Sequence, residues 1–383
     1  MPQIPRKPRA ILIDVIPPSM DARTAARRTY ELESLVGTYG GIIVVKQIQK
    51  RGLPDYRTYI GSGKLEELAH LAKEEKAEVL IINNLMKPGQ MYNVAEYLRK
   101  QKLRMQVWDR VDLILKIFAK HAKTAEAKLQ IKLAAIRHMG PRIFGIGQEM
   151  MQQAGGTGTR GGQGETNTEL MKRHMFEQEQ KVKQDLERLA TGRAQQRKRR
   201  DRMGLKTVSV VGYTNAGKSS LVNALTNKGA FVADALFATL DTRVGKLWFP
   251  PEDDLGRGSD VLVSDTIGFI QDLPPKLIDA FRSTLDETVD ADLLLHVIDV
   301  SDPFLHEKIA EVEDVLTKLK VDGAPKIYVF NKIDLMKRAG KGVLPYAPTL
   351  KKRYADFAPL FVSAHTGEGL EALKTEIRKR LLA

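Results

Sequence analysis

The residues from Gly212 to Ser219, GYTNAGKS, have the types and spacing of a loop that holds phosphate groups. Its two glycines, lysine and serine match G-x-x-x-x-G-K-S/T, with an apolar strand pattern before and an amphipathic helix pattern after. Glycines let backbone N–H groups turn toward phosphate oxygens, and the helix N-terminus adds its positive dipole end. In such loops the lysine reaches the β- and γ-phosphates and the serine hydroxyl binds Mg²⁺. We therefore expect nucleotide contacts from Gly212, Tyr213, Thr214, Asn215, Ala216, Gly217, Lys218 and Ser219, with Ser219 as a metal ligand.

A second motif, LVSDTIGF, places a carboxylate and a glycine after another apolar run. Asp265 ends the run, near the expected Mg²⁺ position, and the N–H of Gly268 is a candidate donor to the γ-phosphate. We expect nucleotide contacts from Asp265, Thr266, Ile267 and Gly268.

Two later motifs point to guanine as the base. IYVFNKID ends a strand pattern with a carboxylate, which accepts from both N1–H and the N2 amino group of guanine. Adenine offers no such pair of donors, so it leaves polar groups unpaired. LFVSAHTGEG ends another strand pattern, where a backbone N–H reaches the guanine O6. The expected contacts come from Asn331, Lys332, Ile333, Asp334, Ser363, Ala364 and His365.

The sequence does not identify a catalytic residue. Many signalling GTPases orient the attacking water with a Gln directly after D-x-x-G, and this chain has Phe269 there. A phenyl ring cannot orient water, and no motif places Gln271, two residues further on. We interpret Phe269 mainly as a core anchor for its loop and expect slow intrinsic hydrolysis.

The elements that position these motifs follow two patterns. Residues 10–107 alternate apolar runs with amphipathic stretches, which predicts a small α/β domain with a mostly parallel sheet. The predicted strands are AILIDVI, GIIVVKQI, EVLIINN and RMQVWD, and the predicted helices are RTAARRTYELESLVGTY, GKLEELAHLAKEEKA and GQMYNVAEYLRKQ.

A helical period begins at Val111 and continues to Ile136, which predicts one long amphipathic helix. A second helical pattern begins at Met171 and ends in the basic run RAQQRKRRDRMG. The glycine-rich segment MQQAGGTGTRGGQGETNTEL lies between them. We therefore predict an antiparallel helical hairpin with a glycine-rich tip, where Arg160 is available for phosphate.

Composition narrows the classes of protein. The 383 residues include no Cys, which excludes disulfides and Cys-ligated metals and favours a reducing compartment. No apolar run approaches the roughly 20 residues of a membrane span, so we expect a cytoplasmic protein without a membrane partner.

Residues 205–383 carry 23 basic and 25 acidic side chains, whereas residues 1–204 carry 38 and 22, a net of +16. Such asymmetry favours an acidic partner, most often nucleic acid.

The whole chain, from about residue 10 onward, resembles the HflX family of ribosome-associated GTPases, and its C-terminal part resembles translation-factor-class GTPases. The markers are YIGSGKLEEL, VWDRVDLILKIFAKHAKTAEAKLQIKLA, GTGTRGGQGET, GYTNAGKSSLVNAL, LFATLDT, DTIGFI and NKID. The resemblance implies GTP or GDP and Mg²⁺ as cofactors. It also implies binding to the large (50S) ribosomal subunit and its rRNA, and separation of stalled ribosomes into subunits. We expect a monomer with no DNA partner.

The resemblance also assigns a fold to each part of this α/β protein. We expect residues 1–108 to form the N-terminal small parallel-sheet α/β domain, residues 109–204 the long antiparallel helical hairpin, and residues 205–383 a C-terminal Ras-like P-loop GTPase domain. In FATLDT the family places a threonine that closes on Mg²⁺, and Thr239 matches it. The expected contacts there are Phe237, Ala238, Thr239, Leu240 and Asp241, with Thr239 as a second metal ligand. Thr168 departs from the family, which usually has an apolar residue there.

Three weaker signals leave alternatives open. In some related GTPases the Asn of N-x-G-K-S binds K⁺, so Asn215 is either a K⁺ ligand or a residue that stabilises the loop. GSGK, at 61–64, lacks Walker spacing, so we favour a turn followed by a helix, with ATP use by the N-terminal half as the alternative. His121 and His138 have no acidic or Cys partner at metal spacing, and we interpret both as ordinary helix residues.

Three functions compete at this stage. The first is a GTPase that splits or remodels ribosomes, and the second is a large-subunit assembly factor in which the nucleotide only gates binding. The third, a membrane or signalling switch, is disfavoured because the sequence has no lipidation motif.

Overall fold

The structure, a computed structural model, describes residues 7–138, 167–226, 243–251, 258–266, 268–269, 289–321, 323–338 and 347–382. The chain divides into two compact units, and each has its own sheet and core. The first comprises Met1–Lys120 and Lys128–Leu186, and the second comprises His121–Ala127 and Glu187–Ala383. No helix among the described residues is long and apolar enough to cross a bilayer.

The first unit contains a four-stranded parallel sheet in the order β2-β1-β3-β4. Its strands are β1 Arg9–Ile16, β2 Ile42–Lys50, β3 Val79–Ile82 and β4 Gln106–Asp109. Three helices connect them in turn: α1 Ala22–Tyr39, α2 Ser62–Glu74 and α3 Pro88–Lys100. The predicted α/β alternation of residues 10–107 is therefore confirmed.

Burial explains why these segments form strands and helices. Nearly all of β1 is buried, as expected for a central parallel strand covered on both faces. The Asp21 side chain accepts from the Thr24 N–H and begins α1, and Gly40, at φ 91°, ends it in the left-handed conformation. Leu65 and Leu68 of α2 pack in the same core cluster as β1 and β3.

The prediction of one long helix is wrong in one respect, because the segment forms two helices. These are α4, Arg110–His121, and α5, residues 125–138. Thr124 lies at the break, and its hydroxyl accepts from the Ala127 N–H at 3.2 Å. A threonine that accepts from the third following N–H is an N-cap, so it begins a new helix within an unbroken apolar period.

The second predicted helical pattern is confirmed as α6, Asn167–Arg202. An ion pair of 3.1 Å between Arg137 and Glu179 connects α5 to α6. The predicted glycine-rich tip lies outside the described residues, so the antiparallel hairpin stays a prediction.

The second unit contains a six-stranded sheet in the order β10-β9-β8-β5-β7-β6, in which only β6 is antiparallel to its neighbour. The strands are β5 Lys206–Gly212, β6 Arg243–Phe249, β7 Ser259–Asp265, β8 Leu293–Asp299, β9 Lys326–Asn331 and β10 Leu360–Phe361. The helices are α7 Lys218–Thr226, α8 Leu305–Lys318, α9 Ile333–Arg338, α10 Ala347–Arg353 and α11 Leu370–Leu381, with a 3₁₀ turn at Ala355–Phe357. The predicted α/β class is confirmed.

Parallel strands bring the motif residues to one edge of this sheet. β5, β7, β8 and β9 end at Gly212, Asp265, Asp299 and Asn331. At the end of β5 a side chain at Gly212 would collide with the Val297 carbonyl oxygen, and φ is 148°, so only glycine fits. In open α/β sheets, ligands bind outside the carboxyl ends of the strands.

Candidate functional site

The phosphate-loop motif lies between the end of β5 and the start of α7, as the sequence predicts. Lys218 is 6% exposed, and its amine donates to the carbonyls of Gly212 and Tyr213 at 3.1 and 2.8 Å. Burial lowers the pKa of Lys218 to about 8, against the opposing effect of the Asp265 carboxylate. The Lys218 amine therefore lies beneath the loop, where the negative charge of a bound phosphate would compensate its positive charge. Asn215 is exposed, at φ 63°.

Ser219 and Asp265 meet directly. The Ser219 hydroxyl donates to Asp265 Oδ2 at 2.6 Å, and Asp265 is 1% exposed. A hydroxyl and a carboxylate are the oxygen ligands that Mg²⁺ uses beside phosphates, so this donor set fits the metal. The third expected element, Phe237–Asp241 with Thr239, lies outside the described residues.

The DTIGF motif contacts the phosphate loop through its glycine and phenylalanine. A Cβ added at Gly268 would lie 2.7 Å from Thr214 Cγ2 and 2.9 Å from Lys218 Nζ, so only glycine allows this approach. Phe269 accepts from Thr214 N at 2.8 Å and donates from its own N to Gly212 O at 3.2 Å. Its side chain is 1% exposed, which fits the interpretation as an anchor.

Two other predicted residues of that motif contribute differently. The Thr266 hydroxyl donates to Val210 O at 2.7 Å, so it connects β7 to β5 and does not face the loop as a free donor. Ile267 lies outside the described residues.

The NKID and SAH motifs meet at the ends of β9 and β10. Asn331 donates from Nδ2 to Ala216 O and accepts at Oδ1 from Ala364 N, both at 3.0 Å. This one amide therefore joins the phosphate loop to the SAH segment. The Ser363 hydroxyl donates to Asp334 Oδ1 at 2.7 Å and fixes that carboxylate. Ile333 is buried and begins α9, whereas His365 is exposed.

The motif analysis missed two residues of this edge. Asp299 ends β8 and pairs with Lys332 at 2.8 Å. Lys308 of α8 lies 4.5 Å from the centre of the Tyr213 ring, a cation–π distance, and also pairs with Asp302. A search for carboxylates at strand ends would have found Asp299, because β8 ends in the run LLLHVID. No sequence signal indicates Lys308.

Away from this site, one prediction is wrong and another is confirmed in part. His138 does have acidic partners, since its Nε2 lies 3.2 Å from Asp109 and 3.5 Å from Asp112. GSGK begins the predicted helix, but it forms no separate turn, because α2 already starts at Ser62 after its N-cap Gly61. Lys64 in that motif pairs with Glu67 at 2.6 Å.

Comparison with known proteins identifies the family of this chain. Three family models match in order: "GTP-binding GTPase N-terminal" at residues 26–119, "GTP-binding GTPase Middle Region" at 121–200 and "50S ribosome-binding GTPase" at 207–332. The GTPase HflX of Caldanaerobacter subterraneus subsp. tengcongensis is 40% identical over 98% of this chain and 81% of its own length. The chain belongs to the HflX family of GTPases.

Further relatives support this HflX assignment. The GTPase HflX of Escherichia coli is 36% identical over 92% of this chain and 78% of its own length. A crystal structure of SsGBP in complex with GDP matches 97% of this chain and 98% of its own, with 25% identity and a TM-score of 0.52. This HflX-family chain is therefore a GTPase that binds GTP and GDP, and the predicted family and enzyme class are confirmed.

Proposed function

We propose that this HflX-family GTPase binds the large ribosomal subunit and uses GTP to dissociate or remodel stalled ribosomes. The observation that carries the proposal is the continuous match to HflX relatives, which includes the basic first half as well as the nucleotide site. The first half carries the whole positive excess of the chain, which suits rRNA phosphates. We further propose that the protein is a cytoplasmic monomer organised as 1–108, 109–204 and 205–383.

The proposed nucleotide site assigns a role to each motif. Lys218 and the loop N–H groups hold the β- and γ-phosphates, and Ser219, with Thr239, binds Mg²⁺ beside Asp265. When bound, Mg²⁺ neutralises charge on the β- and γ-phosphate oxygens. Asp334 reads guanine N1–H and N2, and the Ala364 N–H, which donates to Asn331 Oδ1 in this structure, is the proposed donor to guanine O6.

Two features of hydrolysis follow from the same residues. Phe269 is buried and its side chain offers no polar atom to water, so we propose that ribosomal contacts complete the hydrolysis site and accelerate hydrolysis. We also propose that the exposed Asn215 carboxamide binds K⁺ next to the phosphates. Comparing GTP turnover in KCl and NaCl tests the second point: faster turnover in KCl supports it, and equal rates contradict it.

Gradient sedimentation of intact ribosomes with the protein and GTP tests the proposed action. We expect free subunits with GTP and intact ribosomes with GDP. Co-migration with precursor large subunits, without splitting of intact ribosomes, would instead favour the assembly factor.

The glycine-rich segment provides a matched variant. Deleting Gly155–Gly164 removes the proposed hairpin tip, so GTP binding should be retained while subunit release is lost. If the deletion variant still splits ribosomes as well as the wild type, the segment is a linker.

A further inference from the structure

Thr214, in the middle of the phosphate loop, has a buried hydroxyl group that differs from other threonine hydroxyls of the second unit in its hydrogen bonding. The residue is 5% exposed, and within the part of the chain that the structure describes its Oγ1 has no hydrogen-bond partner. Three other described threonine hydroxyls of the second unit have partners: Thr207 donates to Asp292, Thr226 to Val222 O and Thr266 to Val210 O. A buried hydroxyl without a partner destabilises a folded protein.

The backbone holds Thr214 in a defined place. Its N–H donates to Phe269 O at 2.8 Å, and the bridge between Tyr213 and Phe269 continues the sheet hydrogen bonding into the loop. These hydrogen bonds fix the backbone of Thr214 next to the DTIGF motif, and they do not restrict rotation of its side chain about the Cα–Cβ bond.

This place coincides with the γ-phosphate end of the proposed site. Gly268 packs against both Thr214 and the Lys218 amine, and Lys218 is the group that reaches the β- and γ-phosphates. The side chain of Thr214 thus lies where the cation and the DTIGF motif converge. Phe269 supplies no polar side-chain atom there.

A structural role alone does not explain why this residue is threonine. Valine has the same shape as threonine and would keep the contact of Cγ2 with Gly268, without burying a hydroxyl that lacks a partner. The hydroxyl can donate to an anionic oxygen, and hydrogen bonds to charged groups are the stronger class.

We propose that the Thr214 hydroxyl donates a hydrogen bond to the γ-phosphate of GTP and makes the site discriminate GTP from GDP. The proposal rests on the proposed nucleotide site and adds a contact that the motif itself does not require. It predicts that removing the hydroxyl has two opposite effects. The nucleotide-free protein should become more stable, because no buried hydroxyl lacks a partner, and GTP should bind more weakly, because a hydrogen bond to the γ-phosphate is lost.

The test compares Thr214→Val, which removes the hydroxyl, with Thr214→Ser, which keeps it. For Thr214→Val we expect GDP affinity within about twofold of the wild type and affinity for the non-hydrolysable analogue GMPPNP about 10- to 100-fold weaker. Single-turnover GTP hydrolysis should slow by at least about tenfold. The Tm of the nucleotide-free protein should rise by about 2 °C. Thr214→Ser should restore GMPPNP affinity.

A matched control is Thr375→Val on α11, where the exposed hydroxyl donates to Glu371 O and lies outside the nucleotide motifs. Equal loss of GDP and GMPPNP affinity in Thr214→Val would overturn the proposal in favour of a structural role. Unchanged affinity for both nucleotides would overturn it as well. No ribosome enters these measurements, so their failure is distinct from failure of the proposed ribosomal function.

Discussion

In the proposed site, base recognition depends on the carboxylate of Asp334. Ser363 donates to one of its oxygens at 2.7 Å, which fixes the carboxylate while leaving acceptor capacity for a base. Asn331 supports the same corner by joining Ala216 and Ala364. The proposed preference for guanine therefore depends on the acceptor character of a single side chain.

Asp334→Asn should change the preferred base from guanine to xanthine. Xanthine has an oxygen in place of the guanine 2-amino group, and an amide supplies the donor that this oxygen needs while still accepting from N1–H. We expect GDP affinity to fall at least about 100-fold and affinity for xanthosine diphosphate to rise by a similar factor. Competition binding with both nucleotides measures the change. Retention of wild-type GDP affinity would show that Asp334 does not read the base.

We expect Lys218 to make nucleotide binding depend on pH. Its pKa is lowered to about 8 by burial, and a bound phosphate raises the pKa again because it favours the charged amine. Binding near pH 8 should therefore take up protons, and affinity should decrease as the pH rises above 8. Calorimetry of GDP binding in buffers of different ionisation enthalpy measures the uptake. The same heat in every buffer would contradict this assignment.

The strand-end motifs were predictable because their residues are contiguous in sequence and each follows an apolar run. The partners of His138 were not predictable, since 29 residues separate His138 from Asp109 and only the fold brings the two side chains together. The isolated hydroxyl of Thr214 was equally hidden, because a motif indicates which residues are present and not which of their atoms lack partners.

At the level of elements, a largely buried polar cluster joins β8, β9 and α8. Glu313 accepts from Tyr328 and Lys326 at 2.8 and 2.5 Å and contacts His296 at 3.1 Å. Burial alone would raise the pKa of Glu313, but hydrogen bonds from His296, Lys326 and Tyr328 hold it at about 2. Burial lowers the pKa of His296.

This cluster should make the second unit sensitive to acid. A carboxylate with a lowered pKa stabilises the fold above its unfolded pKa, and that stability is lost as the pH falls from about 4.5 toward 2. Glu313→Gln should lower the free energy of unfolding by about 2 kcal/mol at pH 7, with a smaller difference at pH 4. Denaturant unfolding at both pH values measures this.

Glu371→Gln is the matched control for that experiment. The exposed side chain of Glu371 pairs with Lys374 on α11, and such a pair contributes less than about 1 kcal/mol. If both variants lose the same stability, the buried cluster does not contribute as described.

The break between α4 and α5 shows why element boundaries were harder to predict than element types. The apolar period runs unbroken from Val111 to Ile136, so periodicity alone predicts one helix. The structure has two helices because the Thr124 hydroxyl accepts from the Ala127 N–H and caps the start of α5. The hydrophobic pattern does not indicate this local hydrogen bond.

At the scale of the whole molecule, charge separates the two halves of the sequence. Residues 1–204 carry a net charge of +16, and the remainder is slightly acidic. A nucleotide site alone does not account for this asymmetry, whereas a basic first half suits a partner rich in phosphate. The charge pattern therefore supports the proposed contact between the first half and rRNA.

Affinity for large subunits should fall steeply with salt if that contact is made through phosphates. Each neutralised phosphate releases counterions, so we expect at least a tenfold loss between about 50 and 200 mM salt. Pelleting with purified large subunits measures it, with GDP affinity over the same range as the control. Affinity for subunits that is independent of salt would indicate protein contacts instead.

The most direct test of the account is the rate of GTP turnover with and without purified large ribosomal subunits. The buried Phe269 leaves the described site without a water-orienting side chain at that position, so the protein alone should hydrolyse GTP slowly. Stoichiometric large subunits should raise the rate by at least about tenfold, within the range of partner-supplied stimulation of GTPases. A rate unchanged by large subunits would contradict the account.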